Sequence, residues 1–292
     1  MPTTMSANQP VTKTNSKLYN NVSYKVSQLI TLGYSTSFGS STKLFSKDIR
    51  PHIYAIYGLV RIADEAVDTY RGADAGQVLH NLEDEVYAAL GRGYSTNPVV
   101  QSFVLTANQF GIGRELIQPF FASMALDLTP AAFTQQRYES YIYGSAEVIG
   151  LMCLRVFVHG DAVRYNQLEQ GARALGAAYQ KVNFLRDMAA DYRQLGRVYF
   201  PGIVFETFDD TAKDKIIADI ENDFAVARIA AARLPAGSQK AVQLSITYYG
   251  ALLKKLKKTP SAVITQKRIR INGASKAILF FRAVIRRNIS AA

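Results

Sequence analysis

One cysteine, three histidines and no tryptophan occur in 292 residues. The solitary Cys153 rules out an intrachain disulfide and fits a reducing compartment. Set in VIGLMCLRVFV, it reads as a small buried hydrophobe rather than a nucleophile. His52, His80 and His159 are scattered without metal-ligand spacing. No run approaches the ~18 apolar residues that a membrane span needs. Residues 1–16, MPTTMSANQPVTKTNS, lack the apolar stretch of a secretory signal and read as a disordered tail. No segment alternates with a period of two, and no repeat of fixed length is present. The nearest approach to a dinucleotide fingerprint, FGIGRE, lacks its third glycine and follows no strand.

Acidic residues are missing altogether after Asp223. From Phe224 onward fourteen Lys and Arg meet no acid, while the rest of the chain carries 20 basic and 23 acidic residues, or −3. The net charge of +11 therefore comes from the C-terminal part. Such a tail fits anionic lipid, a diphosphate or nucleic acid, but no nucleic-acid motif accompanies it, so no nucleic-acid partner is expected. Its KAILFFRAVIRR sets apolar residues between basic ones at helical spacing. That reads either as a membrane-surface helix or as a terminal helix docked on its own domain.

What the sequence has is helix. Apolar residues make up 48% of the chain, and helical periodicity runs near 18–32, 48–71, 74–92, 97–109, 113–126, 134–159, 161–191, 209–234, 239–257 and 274–288. Gly and Pro punctuate the gaps, with Asp48 or Ser46 as candidate N-cap before Pro51. An all-α single domain over 17–292 follows.

Asp-x-x-x-Asp pairs occur four times, at Asp64/Asp68, Asp187/Asp191, Asp210/Asp214 and Asp219/Asp223. Residues four apart share a helical face, where two bare carboxylates repel unless a cation lies between them. The last two pairs sit among Lys213, Lys215, Glu221 and Asn222, which a solvated face explains. The first two have apolar and aromatic flanks. Tyr54, Tyr57, Arg61, Asp64 and Asp68 fall on one stripe, and Asn183, Arg186, Asp187 and Asp191 share a second helix ahead of GRVYFP. Carboxylate pairs beside cations and aromatics suit Mg²⁺ and phosphate oxygens.

The hydroxyl-rich YSTSF, the helix ending RIADEAVD and QKVNFLRDMAADYRQLGRVYFP, in that order, resemble the squalene/phytoene synthase family, most closely its bacterial phytoene synthases. FGIGRELIQPFFASMALDL and YIYGSAEVIG are similar to corresponding family stretches. The resemblance implies the class I isoprenoid (terpenoid) synthase fold, an antiparallel helical bundle around a central cavity. It implies head-to-head condensation of two geranylgeranyl diphosphates to phytoene, through a cyclopropyl diphosphate, in carotenoid biosynthesis. On this basis Asp64, Asp68, Asp187 and Asp191, with Asn183, hold Mg²⁺ (or Mn²⁺), and Arg61 and Tyr57 serve the catalytic site. Ser35, Ser37, Tyr143, Gln180, Asn183, Arg186, Tyr249 and Arg268 match substrate-binding positions. No NADPH is expected, and the implied place is the cytoplasm, at the inner face of the membrane. Two departures stand out: Ala189 and Ala190 replace acids often found in the second motif, and Glu147 replaces a small residue. The alternatives are a C15 synthase making dehydrosqualene or squalene, and a basic helical module without catalysis.

Overall fold

The structure is a computed structural model that describes residues 13–35, 39, 41–70, 72–129 and 132–271. The chain runs through α1 (Lys13–Tyr34), α2 (Arg50–Asp64), α3 (Ala75–Arg92), α4 (Pro98–Phe110), α5 (Arg114–Leu126) and α6 (Gln135–Ile142). It continues through α7 (Val148–Phe157), α8 (Ala162–Leu195), α9 (Asp210–Ala231), α10 (Ala236–Lys258) and the short α11 (Ser261–Ile264). Among the described residues no strand occurs. Two π-helical segments, Glu65–Thr69 after α2 and Tyr143–Glu147 between α6 and α7, interrupt the regular pattern.

The helices end where the chemistry says they should. Asn97 and Asp161 cap α4 and α8 by accepting backbone N–H groups, and Gly93, Gly111 and Gly196 close helices in the left-handed conformation. The expected cap at Asp48 or Ser46 is not formed: Ile49 is the N-cap of α2, without a side-chain bond, and Pro51 occupies the first turn. The α1 helix begins at Lys13, inside the expected 1–16 tail. The expected helix over 274–288, and with it KAILFFRAVIRR, lies outside the described residues.

At 34 residues α8 is about 51 Å long, at 1.5 Å per residue, and it organises the bundle. It packs against α7, α9 and the second π segment, while α1, α2 and α4 form a neighbouring group. Close approach depends on missing side chains. A Cβ at Gly176 of α8 would stand 2.5 Å from the Ala146 carbonyl oxygen of the π segment. The core is a continuous apolar cluster in which Phe103, Phe120, Phe121 and Phe224 are fully buried.

Candidate active site

Helical spacing on α8 brings Gln180, Asn183, Asp187 and Asp191 to one stripe, and the stripe lines a cavity of ≈ 1100 Å³. From the opposite wall α2 contributes Tyr57, Arg61 and Asp64, and the π segment behind it contributes Asp68. Much of the remaining lining is apolar, including Phe45, Ile53, Phe120, Leu154 and Phe157. The two predicted aspartate pairs therefore meet across one cavity. The other two lie elsewhere: Asp219 and Asp223 accept from Lys181 at 2.6 and 2.8 Å, and Asp210 pairs with Lys213.

Electrostatics register the crowding. Burial, then the Asp68 charge, pushes the Asp64 carboxyl up to about 7 against the pull of Arg61. Burial, then Asp187, does the same to Asp191, which also feels Asp68 from the other wall. The site thus holds its carboxylates at a cost that a cation among them would relieve.

Guanidinium groups supply part of the compensation. Arg186 Nη2 lies 2.6 Å from Asp187 Oδ2, and Arg268 Nε lies 2.7 Å from Asp187 Oδ1, so two cations grip one carboxylate. Arg61 pairs with Asp64 at 3.4 Å and with Glu65, and its guanidinium sits 4.2 Å over the Tyr34 ring. Tyr57 is hydrogen-bonded to Ser35, and burial raises its hydroxyl above the ordinary range. Tyr249 is hydrogen-bonded to Asn183 and stacks on Tyr179 with centroids 3.9 Å apart.

Do these residues fit a divalent metal? Among the described residues no three His, Cys, Asp or Glu side chains converge as a ready-made cage. Mg²⁺ does not require one, since it commonly takes one or two carboxylates plus waters and phosphate oxygens. The donors are all oxygen. Asn183 Oδ1, one turn before Asp187, is buried with no hydrogen-bond partner, the condition of an atom awaiting a cation or a donor. The set fits.

Not every expected residue arrives. Ser37 lies outside the described residues. Tyr143 is absent from the lining; its ring lies under Arg173, whose Nε donates to Glu147 Oε2 at 2.6 Å. Glu147 thus faces α8 rather than the cavity. Tyr141 lines the cavity instead, on the face shared with Ser145, Ile149 and Cys153. The four-residue steps 141, 145, 149 and 153 were readable in the sequence. Asp127 was missed altogether. It lines the cavity, accepts from Tyr141 Oη and Arg197 Nη1 at 2.8 Å each, and is pushed up to about 6 by burial.

A family model described as squalene/phytoene synthase matches residues 32–274. The 4,4'-diapophytoene synthase of Staphylococcus haemolyticus is 25% identical over 68% of this chain and 70% of its own. The phytoene synthase of Arthrospira platensis is 28% identical over 68% of this chain and 67% of its own. A crystal structure of a dehydrosqualene synthase superposes with a TM-score of 0.77 at 17% identity, over 94% of this chain and 99% of that one. That likeness gives the same helical isoprenoid-synthase fold.

Proposed function

The chain belongs to the squalene/phytoene synthase family, whose chemistry is head-to-head prenyl condensation, and from that premise we propose that it makes phytoene from two geranylgeranyl diphosphates. The observation that carries the reading is the meeting of Asp64/Asp68 with Asp187/Asp191 across a single, largely apolar cavity. Asp64, Asp68, Asn183, Asp187 and Asp191 would hold the divalent metal, Mg²⁺ or Mn²⁺. When bound, the metal supplies Lewis-acid neutralisation of the departing diphosphate.

The chain's own residues do the rest. Arg61, Arg186 and Arg268 offer cationic donors to diphosphate oxygens, and all three are already set among the carboxylates. Ser35, hydrogen-bonded to Tyr57, and Gln180 stand on the same lining. Departure of the diphosphate leaves an allylic cation, which the faces of Tyr141, Phe184, Tyr199 and Tyr249 shield from water. No redox partner is needed for that product, so NADPH is left out of the proposal. A cytoplasmic location at the inner face of the membrane belongs to the same proposal.

A second reading has an observation in its favour. The staphylococcal relative is a 4,4'-diapophytoene synthase, which favours a C15 substrate as the second reading. The C20 reading rests on the phytoene-synthase-like segments and on the Arthrospira platensis relative. Equal concentrations of both diphosphates with Mg²⁺ and no NADPH, with products weighed by mass spectrometry, decide between them. Mainly C40 phytoene supports the proposal, and mainly C30 hydrocarbon replaces it with the C15 reading.

A further inference from the structure

The α1 helix is amphipathic in the opposite sense to an ordinary surface helix. Its inward stripe, Ser23, Ser27 and Thr31, is buried and hydroxylic. Those hydroxyls are satisfied: Ser27 Oγ lies 2.8 Å from Ser102 Oγ, Thr31 donates to the Ser27 carbonyl at 2.8 Å, and Ser23 donates to the Tyr19 carbonyl at 2.9 Å. Gly58 of α2 leaves the room, since a Cβ there would stand 2.7 Å from Ser27 Oγ. The outward stripe is aliphatic. Leu18, Val22, Leu29 and Leu32 fall on one helical face and are 64%, 43%, 71% and 39% exposed. A helix facing only water carries the reverse pattern.

We propose that this outward face of α1 docks on an anionic lipid surface. The first argument is charge: α1 holds Lys13, Lys17 and Lys25 and no Asp or Glu, and both Lys17 and Lys25 are exposed. Aliphatic side chains flanked by lysines are the composition of a helix lying in a headgroup layer. Size is the second argument. A stable protein partner ordinarily takes about 20–30 residues and ~800 Å² a side, and a stripe one side chain wide does not reach that. The docking does not rest on the proposed reaction.

The test is flotation of the full chain with vesicles of phosphatidylcholine and phosphatidylglycerol, and with phosphatidylcholine alone. Wild type should float with the anionic vesicles. The Leu18→Ser/Leu29→Ser variant should bind about tenfold less, having lost two apolar insertions. Ile229→Ser, at a 69% exposed position on α9, should bind as wild type does. Turnover of detergent-dispersed prenyl diphosphate should stay unchanged in all three, which separates failure of docking from failure of the proposed reaction. Leu29→Trp gives an independent reading, because the chain has no other tryptophan: its emission should shift to the blue on adding anionic vesicles. Equal flotation of the double variant and wild type would overturn the proposal, as would an unshifted Leu29→Trp spectrum. So would a concentration-dependent dimer that the double substitution dissociates without any vesicle binding.

Discussion

Arg197 donates through Nη1 to Asp127 Oδ1 at 2.8 Å although the two stand 70 positions apart. The same guanidinium also reaches the Asp127 backbone carbonyl. The pair ties the loop that follows α8 to the end of α5, and Tyr141 Oη donates to the other oxygen of Asp127 at 2.8 Å. Both side chains are largely buried. Asp191 feels the Arg197 charge and Asp127 feels that of Asp68, so the pair stands near both aspartate pairs.

Breaking one side of such a pair leaves a buried charge uncompensated. Arg197→Met should therefore destabilise the fold by about 3–5 kcal/mol, read from urea unfolding. Asp127→Asn keeps an acceptor for Arg197 and should cost less. A loss under ~1 kcal/mol for Arg197→Met would mean that the pair is solvent-screened, contrary to its burial.

Tyr141 and Tyr143 should separate cleanly in kinetics. Tyr141→Phe removes a hydroxyl that is bonded to Asp127 on the cavity wall and should lower kcat/KM by about tenfold, from the loss of a charge-assisted bond. Tyr143→Phe keeps the ring under Arg173 and should leave kcat/KM within about twofold of wild type. Equal losses would place both rings in the site.

The Tyr141 and Tyr143 assignments also mark where sequence reading reaches its limit. Helix spans within the described residues and both aspartate pairs were legible, because period and flanking apolarity are local. The turn at 143–147 is π-helical, and its widened register sends Tyr143 and Glu147 toward Arg173 while Tyr141 keeps the cavity face. Motif matching alone does not carry that register. Asp127 sits in ALDL with no local signal, since its meaning comes from Arg197, 70 positions later. The outward aliphatic face of α1 was likewise invisible as such. Periodicity marks a helix but does not say which stripe the bundle takes in.

Away from the site, His52 sets an acid limit on stability. Its Nδ1 lies 2.9 Å from Thr106 Oγ1, and burial lowers its pKa from 6.5 to about 4. The unfolded chain therefore takes up a proton between those values that the folded chain refuses. Stability from this group is complete above about pH 6.5 and falls as pH drops toward about 4, by up to ~3 kcal/mol. Urea midpoints at pH 7 and pH 4.5 should converge less for wild type than for His52→Gln. The same pH slope in both proteins would remove His52 as the cause.

The most direct measurement is phytoene formation from geranylgeranyl diphosphate and Mg²⁺ by four proteins of equal helicity: wild type, Asp64→Ala, Asp187→Ala and Asp219→Ala. All three substitutions break an Asp-x-x-x-Asp pair, but only the first two touch the cavity; Asp219 serves the Lys181 ion pair on α9. The account predicts no detectable product from Asp64→Ala or Asp187→Ala and near-wild-type product from Asp219→Ala. Comparable activity in all three variants would contradict it.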